Sequence, residues 1–383
     1  MTHRTAAVPA LIAALILAVG LAGCASAEPA AEPGISVVAT TTQVADFTAQ
    51  IAGDAAQVTS LIQPNQSSHS FDPTAADLAA LADADVLVIN GAGLEEWLDG
   101  AIEASGFSGT TIDASSGVTL MEFAKEEDHA HEGEDEAHAG EDHAHEGDDH
   151  SHEGEDHSHD HDHSHEGEAE AAAEATPEPS EAVEGDHDHS HEGGDPHIWT
   201  SAGNAIAMVE AIADGLADVD AENADAFTAN AAAYITQLEA LDAWIIENME
   251  RVDPADRLLV TNHEAFGYFV DAYGVTFVGA VIPSFDDNAE VSAADIDKLV
   301  DAIRDSGAPA VFSETSLSPE AAETIAAEAG VAVLSGDEGL FGDSLGPEGS
   351  SGETYIASMI HNVTVLIEAW GANVTAVPAE LSE

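Results

Sequence analysis

Four histidines carry the first chemical question. Of the chain's 20 His, His3 lies at the extreme N-terminus and fifteen crowd between residues 126 and 192. His69, His197, His263 and His361 remain. A neutral imidazole can ligate a transition metal or move a proton near physiological pH. His263 sits in Asn262-His263-Glu264-Ala265-Phe266-Gly267, which begins like the His-Glu-x-x-His motif of zinc proteases. That motif needs a second His four residues on, so that both rings share one helical face. Gly267 stands there instead, and the protease reading fails.

The other positions suggest a shared site. His69 lies in Gln66-Ser67-Ser68-His69-Ser70-Phe71-Asp72-Pro73, after an expected strand at Val58–Ile62. His197 follows Asp195-Pro196, where globular composition resumes. His263 follows an expected strand at Leu258–Thr261. Open α/β sheets bind ligands at the carboxyl ends of their strands, so three distant imidazoles could converge on one crevice. One such His alone is more often a hydrogen-bonded structural residue; three in strand-end positions favour a common role. His361 falls inside the last expected helix and reads as structural. Two carboxylates are placed similarly. Glu314 follows the strand Ala310–Phe312, and Asp343 lies in Phe341-Gly342-Asp343-Ser344-Leu345-Gly346, after the strand Val331–Leu334. Either could complete the set.

The elements that would position these residues alternate. Strands are expected at Ile35–Thr40, Val58–Ile62, Val86–Asn90, Leu258–Thr261, Phe277–Val281, Ala310–Phe312 and Val331–Leu334. Helices are expected at Val44–Ile51, Ala75–Ala82, Leu94–Ala104, Asn204–Leu216, His263–Tyr273, Val291–Ser306, Pro319–Ala329 and Thr354–Ala369. Strands alternating with helices predict an α/β fold with parallel sheets. Asn223–Glu250 runs without Gly or Pro and predicts a helix of about 40 Å. The expected architecture is two similar lobes, 35–222 and 251–383, joined by this one rigid helix. Glu264 reads as an exposed carboxylate at a helix start. The Gly-rich segment 335–352 around Asp343 reads as a loop that a bound metal would order.

Composition excludes some partners. Six basic residues face 75 acidic ones, a net charge of -69. Such a chain is repelled by nucleic acid and by anionic headgroups. Residues 126–192 hold His, Asp, Glu, Gly and Ala with almost no large apolar side chains, which predicts a disordered insert in the first lobe. Its His-x-His pairs, among them His143, His145, His157, His159, His161, His163, His165, His187, His189 and His191, suit weak, interchangeable metal sites. Residues 1–23 read as a signal segment ending in Leu21-Ala22-Gly23-Cys24, with 24–34 as a tether. Cys24 is the only Cys, so no disulfide can form within the chain.

"SSHSFDPT", "DPHIWTSAGNA", "TNHEAFGYFVDAYGV", "VFSETSLSP" and "GDSLGPEGSSGETYIASMIHN" together resemble the metal-binding lipoproteins of bacterial ABC importers, a family with zinc and manganese branches. The resemblance covers about residues 35–371 outside the insert. It implies one metal site between two lobes, with His69, His197, His263 and Asp343 as ligands. It also makes Cys24 the lipidated residue and an ABC permease with its ATPase the partners, in an extracytoplasmic, lipid-anchored monomer. The manganese branch usually has Glu where this chain has His263. Three imidazoles and a carboxylate suit Zn²⁺, whereas Mn²⁺ prefers more oxygen. Glu314 would then orient a ligand His from behind. The expected function is zinc capture and delivery, without enzymatic activity. The alternatives are a manganese receptor, a metal-buffering surface adhesin and, least favoured, a zinc hydrolase, which would need an open coordination position.

Overall fold

A computed structural model of the chain describes residues 34–121 and 194–381. The signal segment, Cys24 and the insert with its His-x-His pairs lie outside the described residues.

The first half builds a four-stranded parallel sheet. Its strands are β1 (Ile35–Ala39), β2 (Ala56–Ser60), β3 (Val86–Ile89) and β4 (Thr110–Asp113), in the order β2-β1-β3-β4. Both faces are covered. Val37, Ala39, Val86 and Val88 point into one apolar cluster, while Val38 and Leu87 point into another. Burial on both faces is why these strands read as unbroken apolar runs. Helices α1 (Thr42–Ala52), α2 (Ala75–Ala82) and α3 (Leu98–Ser105) connect them. Thr74 and Asp77 close a reciprocal capping box at the start of α2.

The second half repeats the plan. Here β5 (Leu258–Thr261) pairs with β6 (Thr276–Ala280), and β7 (Ala310–Phe312) pairs with β8 (Ala332–Leu334), all parallel. These are two separate two-stranded sheets, but β5 lies beside β7, so the order of neighbours, 6-5-7-8, resembles 2-1-3-4. The helices are α6 (Gly267–Tyr273), α7 (Ala293–Ser306), α8 (Glu320–Ala329) and α9 (Tyr355–Ala369). The intervening α4 (Ala202–Val219) packs on α5 (Ala224–Met249).

α5 binds the halves together. Phe227, Ala231, Tyr234, Leu238, Leu241 and Ile245 recur every three or four residues and are buried. They join one apolar core that runs from Val37 to Leu381. The helix is about 39 Å long at 1.5 Å per residue and has no Gly or Pro to bend it.

Several elements differ from the sequence reading. β4 has exposed Thr110, Thr111 and Asp113, with only Ile112 buried, so its apolar signal is too weak to read. β2 lies two residues earlier than the apolar run Val58–Ile62, because Leu61 and Ile62 continue past the strand into the turn. α3 begins at Leu98 rather than Leu94. α6 begins at Gly267 rather than His263, which leaves His263 and Glu264 in the preceding turn. Glu264 is therefore partly buried rather than an exposed helix start.

Candidate metal centre

In an order such as 2-1-3-4, the chain reverses direction across the sheet between β1 and β3. The crevice at the carboxyl ends of those strands is where open α/β sheets bind ligands. Asn90, just past β3, donates from its side chain to the Pro196 carbonyl at 3.0 Å. That bond seats Asp195-Pro196-His197 over the first crevice. Glu95 braces the same corner, accepting from the Asn90 and Gly91 amides and from the Thr40 hydroxyl. The second half uses its equivalent corner. His263 follows β5 and Glu314 follows β7, and Asn262 accepts from the Glu314 amide at 2.7 Å.

Four side chains meet between these corners. One donor atom each from His69, His197, His263 and Asp343 lies within 4.8 Å of all the others. His69 Nε2 and His197 Nε2 are 3.1 Å apart. Asp343 Oδ1 is 3.6 Å from His197 Nε2 and 3.3 Å from His263 Nε2, and its Oδ2 is 3.7 Å from His69 Nε2. The His69 side chain is 4% exposed; the other three are fully enclosed. His361 stays apart, as read, with Nε2 2.9 Å from the Gly339 carbonyl oxygen.

The surroundings point two rings inward. His197 Nδ1 lies 2.8 Å from Asp195 Oδ1, and His263 Nδ1 lies 2.8 Å from Glu314 Oε1. An ionised carboxylate only accepts, so each ring donates its Nδ1–H and turns its Nε2 to the centre, where it offers a lone pair whenever the ring is neutral. Lone pairs on facing nitrogens repel unless a proton or a cation lies between them. His263 Nε2 and both Asp343 oxygens are buried without a hydrogen-bond partner. Unpaired buried polar atoms cost free energy, and a divalent cation among them would satisfy all of them. The donor set thus fits a metal ion.

The electrostatics are uneven. Burial pushes His69 down to about 4, against the pull of Asp343 and with help from the neighbouring imidazoles. Burial also opposes charge on His263, but Glu314 and Asp343 outweigh it and hold that ring well above the usual histidine range. Asp343 feels the same burial, which the three histidines override, and its carboxyl stays below the ordinary range. Phe285 packs beside His197, with ring centroids 6.1 Å apart. Its neighbour Asp286 attracts positive charge on His69, the least enclosed donor.

Sequence reasoning missed Asp195. The signal was present: an Asp two residues before a His can fold back onto that ring, and here it takes both the His197 amide and Nδ1. Of the two candidate carboxylates, Asp343 joins the cluster and Glu314 stands behind His263.

The model of the ZnuA family, zinc-uptake complex component A, periplasmic, matches residues 37–369. The chain belongs to this family. ZnuA-family proteins are metal-binding receptors of ABC importers rather than enzymes, and their fold is α/β with parallel sheets. The manganese-binding lipoprotein MntA of Halalkalibacterium halodurans is 26% identical over 356 residues, covering 92% of this chain and 95% of MntA. The zinc-binding protein AdcA of Streptococcus pyogenes serotype M3 is 31% identical over 340 residues, covering 88% of this chain. The match spans only 56% of AdcA, a little over half its length. The solved periplasmic zinc-binding protein TroA of Treponema pallidum has the same fold, with a TM-score of 0.67 at 22% identity over 88% of this chain and 99% of TroA. Among the described residues, no helix is long and apolar enough to cross a membrane.

Proposed function

We propose that this ZnuA-family receptor captures Zn²⁺ outside the cytoplasmic membrane and hands it to an ABC permease driven by an ATPase, as a monomer anchored by lipid at Cys24. His69, His197, His263 and Asp343 are the ligands in this reading. One observation carries it: three imidazole nitrogens and one carboxylate converge within 4.8 Å, with the Nδ1 atoms of two rings engaged by carboxylates. Zn²⁺ favours four-coordinate sites of nitrogen and oxygen donors, with second-layer carboxylates fixing the tautomer of each His. Mn²⁺ prefers more oxygen. Four protein donors would complete a tetrahedral set without a water ligand, which supports carriage over hydrolysis.

The name of MntA favours a second reading, manganese carriage by the same residues. Metal analysis of protein purified without added metal separates the two. A chain lacking 126–192 is expected to carry one zinc, and its His197→Ala variant almost none. Manganese at one per chain would establish the second reading. Undiminished zinc in the variant would remove His197 from the site.

A further inference from the structure

Gly267 occupies the place where a zinc protease would carry its second His, and the structure gives that glycine a different task. It is the first residue of α6, with no left-handed φ, so its backbone does not require glycine. Ala is the better helix former. The reason for glycine is space. A Cβ built on Gly267 would overlap Oδ2 of Asp195, the carboxylate whose other oxygen holds His197 Nδ1. The contact joins residues 72 positions apart in sequence.

Gly342 repeats the arrangement on the other ring. Its φ is also ordinary, and a Cβ there would overlap Oε2 of Glu314, whose Oε1 holds His263 Nδ1. Among the described glycines without a positive φ, only these two would drive a Cβ into a carboxylate oxygen. The two carboxylates are those that hold ring nitrogens at the centre. Asp195 and Glu314 are both almost fully buried, so neither can swing into solvent to make room.

We infer that Gly267 and Gly342 are positioning residues for the metal site, each leaving the space in which a carboxylate orients a ligand imidazole. A methyl group at either position displaces the carboxylate, releases the Nδ1 hydrogen bond and lets the ring turn its Nε2 away from the centre. Gly267 acts on His197 and Gly342 on His263, so the two sets of consequences are separable. The inference rests on the reading of these histidines as ligands. A wild-type chain without a tight zinc site would remove that reading. A wild-type chain with one, matched by unaltered glycine variants, would remove only this inference.

The test is a pair of double-mutant cycles on the full chain, read by zinc competition against a chelator. Gly267→Ala and Asp195→Ala are each expected to weaken the tight site by about 10–100-fold, the usual effect of losing an outer partner of a ligand. The double variant is expected to be no weaker than Asp195→Ala alone, because the methyl then has no carboxylate to displace. Gly342→Ala with Glu314→Ala should behave alike. Long-range proton–nitrogen NMR of the zinc-loaded protein adds a readout that simple destabilisation would not move. Gly267→Ala should lose the Nδ1–H signature of His197 and keep that of His263; Gly342→Ala should do the reverse. Wild-type affinity in the single glycine variants, fully additive losses, or unchanged His signatures would overturn the inference. If Gly267→Ala fails to fold, a folded Gly267→Ala/Asp195→Ala variant still supports it. Failure of both to fold would assign Gly267 to general packing and overturn its role here.

Discussion

Glu314 holds the Nδ1 of His263 at 2.8 Å and also accepts from the His263 backbone amide at 3.2 Å. One carboxylate therefore fixes both the backbone and the ring of a residue 51 positions away. Replacing Glu314 by Ala should weaken zinc binding by about 10–100-fold, whereas Glu264→Ala should change it by less than about threefold. Competition with a chromogenic chelator measures both. Equal effects of the two substitutions would mean that Glu314 has no special hold on the ring.

Proton competition should follow from the same contact. The metal-free His263 is held protonated above the ordinary histidine range, and a metal-bound imidazole must lose that proton. Zinc affinity should therefore rise with pH up to the His263 pKa, by about a factor of ten per pH unit for each proton displaced. His69, held at about 4, is already neutral between pH 6 and 8 and adds no slope there. Glu314→Gln removes a charge that raises His263, so its slope over that range should be shallower. Zinc affinities in metal buffers at pH 6, 7 and 8 check this; parallel lines for the two proteins would contradict it.

Much of this site is legible in sequence because its residues sit at strand ends. His69, His197, His263 and Asp343 all lie in turns that follow apolar runs or bound the insert, and the structure brings them together. What was not legible depends on partners far away in the chain. The Gly-rich segment 335–352 reads as a loop awaiting a metal. In the structure its backbone is already tied. The Gly342 carbonyl accepts from Gln43 and Trp199, the Asp343 carbonyl from Ser68, and the Leu345 amide donates to Thr42. Three of those partners lie about 300 positions upstream, where local composition carries no trace of them. The role of Gly267 was hidden for the same reason: the absence of a His was readable, but the presence of Asp195 in that space was not.

Stability at the first corner should depend on Glu95. Burial raises its carboxyl to about 7, against the hydrogen bonds from Thr40, Asn90 and Gly91. A carboxyl raised in the fold favours the folded state fully below its unfolded value, near 4.5, and loses that contribution as pH rises through the folded value. The contribution lost between pH 4.5 and about 7 is on the order of 3 kcal/mol. Glu95→Gln cannot ionise, so the difference in Tm between variant and wild type, both metal-free, should shift in favour of the variant across that interval. A constant difference from pH 4.5 to 8 would show that Glu95 does not titrate in the folded chain.

Removal of residues 126–192 should leave the tight site unchanged. All four proposed ligands lie outside that segment, whose His-x-His pairs are expected to chelate only weakly. Calorimetric titration of the shortened chain with zinc should show one tight event and lose the weaker ones. Loss of the tight event would mean that the insert supplies a primary ligand.

Metal choice is the central claim, and direct competition tests it best. Stripped protein should be titrated with Zn²⁺ and Mn²⁺ together at equal concentration, and the bound metal then measured. Three imidazoles and Asp343 are expected to hold Zn²⁺ almost exclusively, and His263→Glu should move the bound fraction toward Mn²⁺ by adding an oxygen donor. Comparable occupancy by the two metals in the wild-type chain, or displacement of zinc by an equal concentration of manganese, would contradict the account.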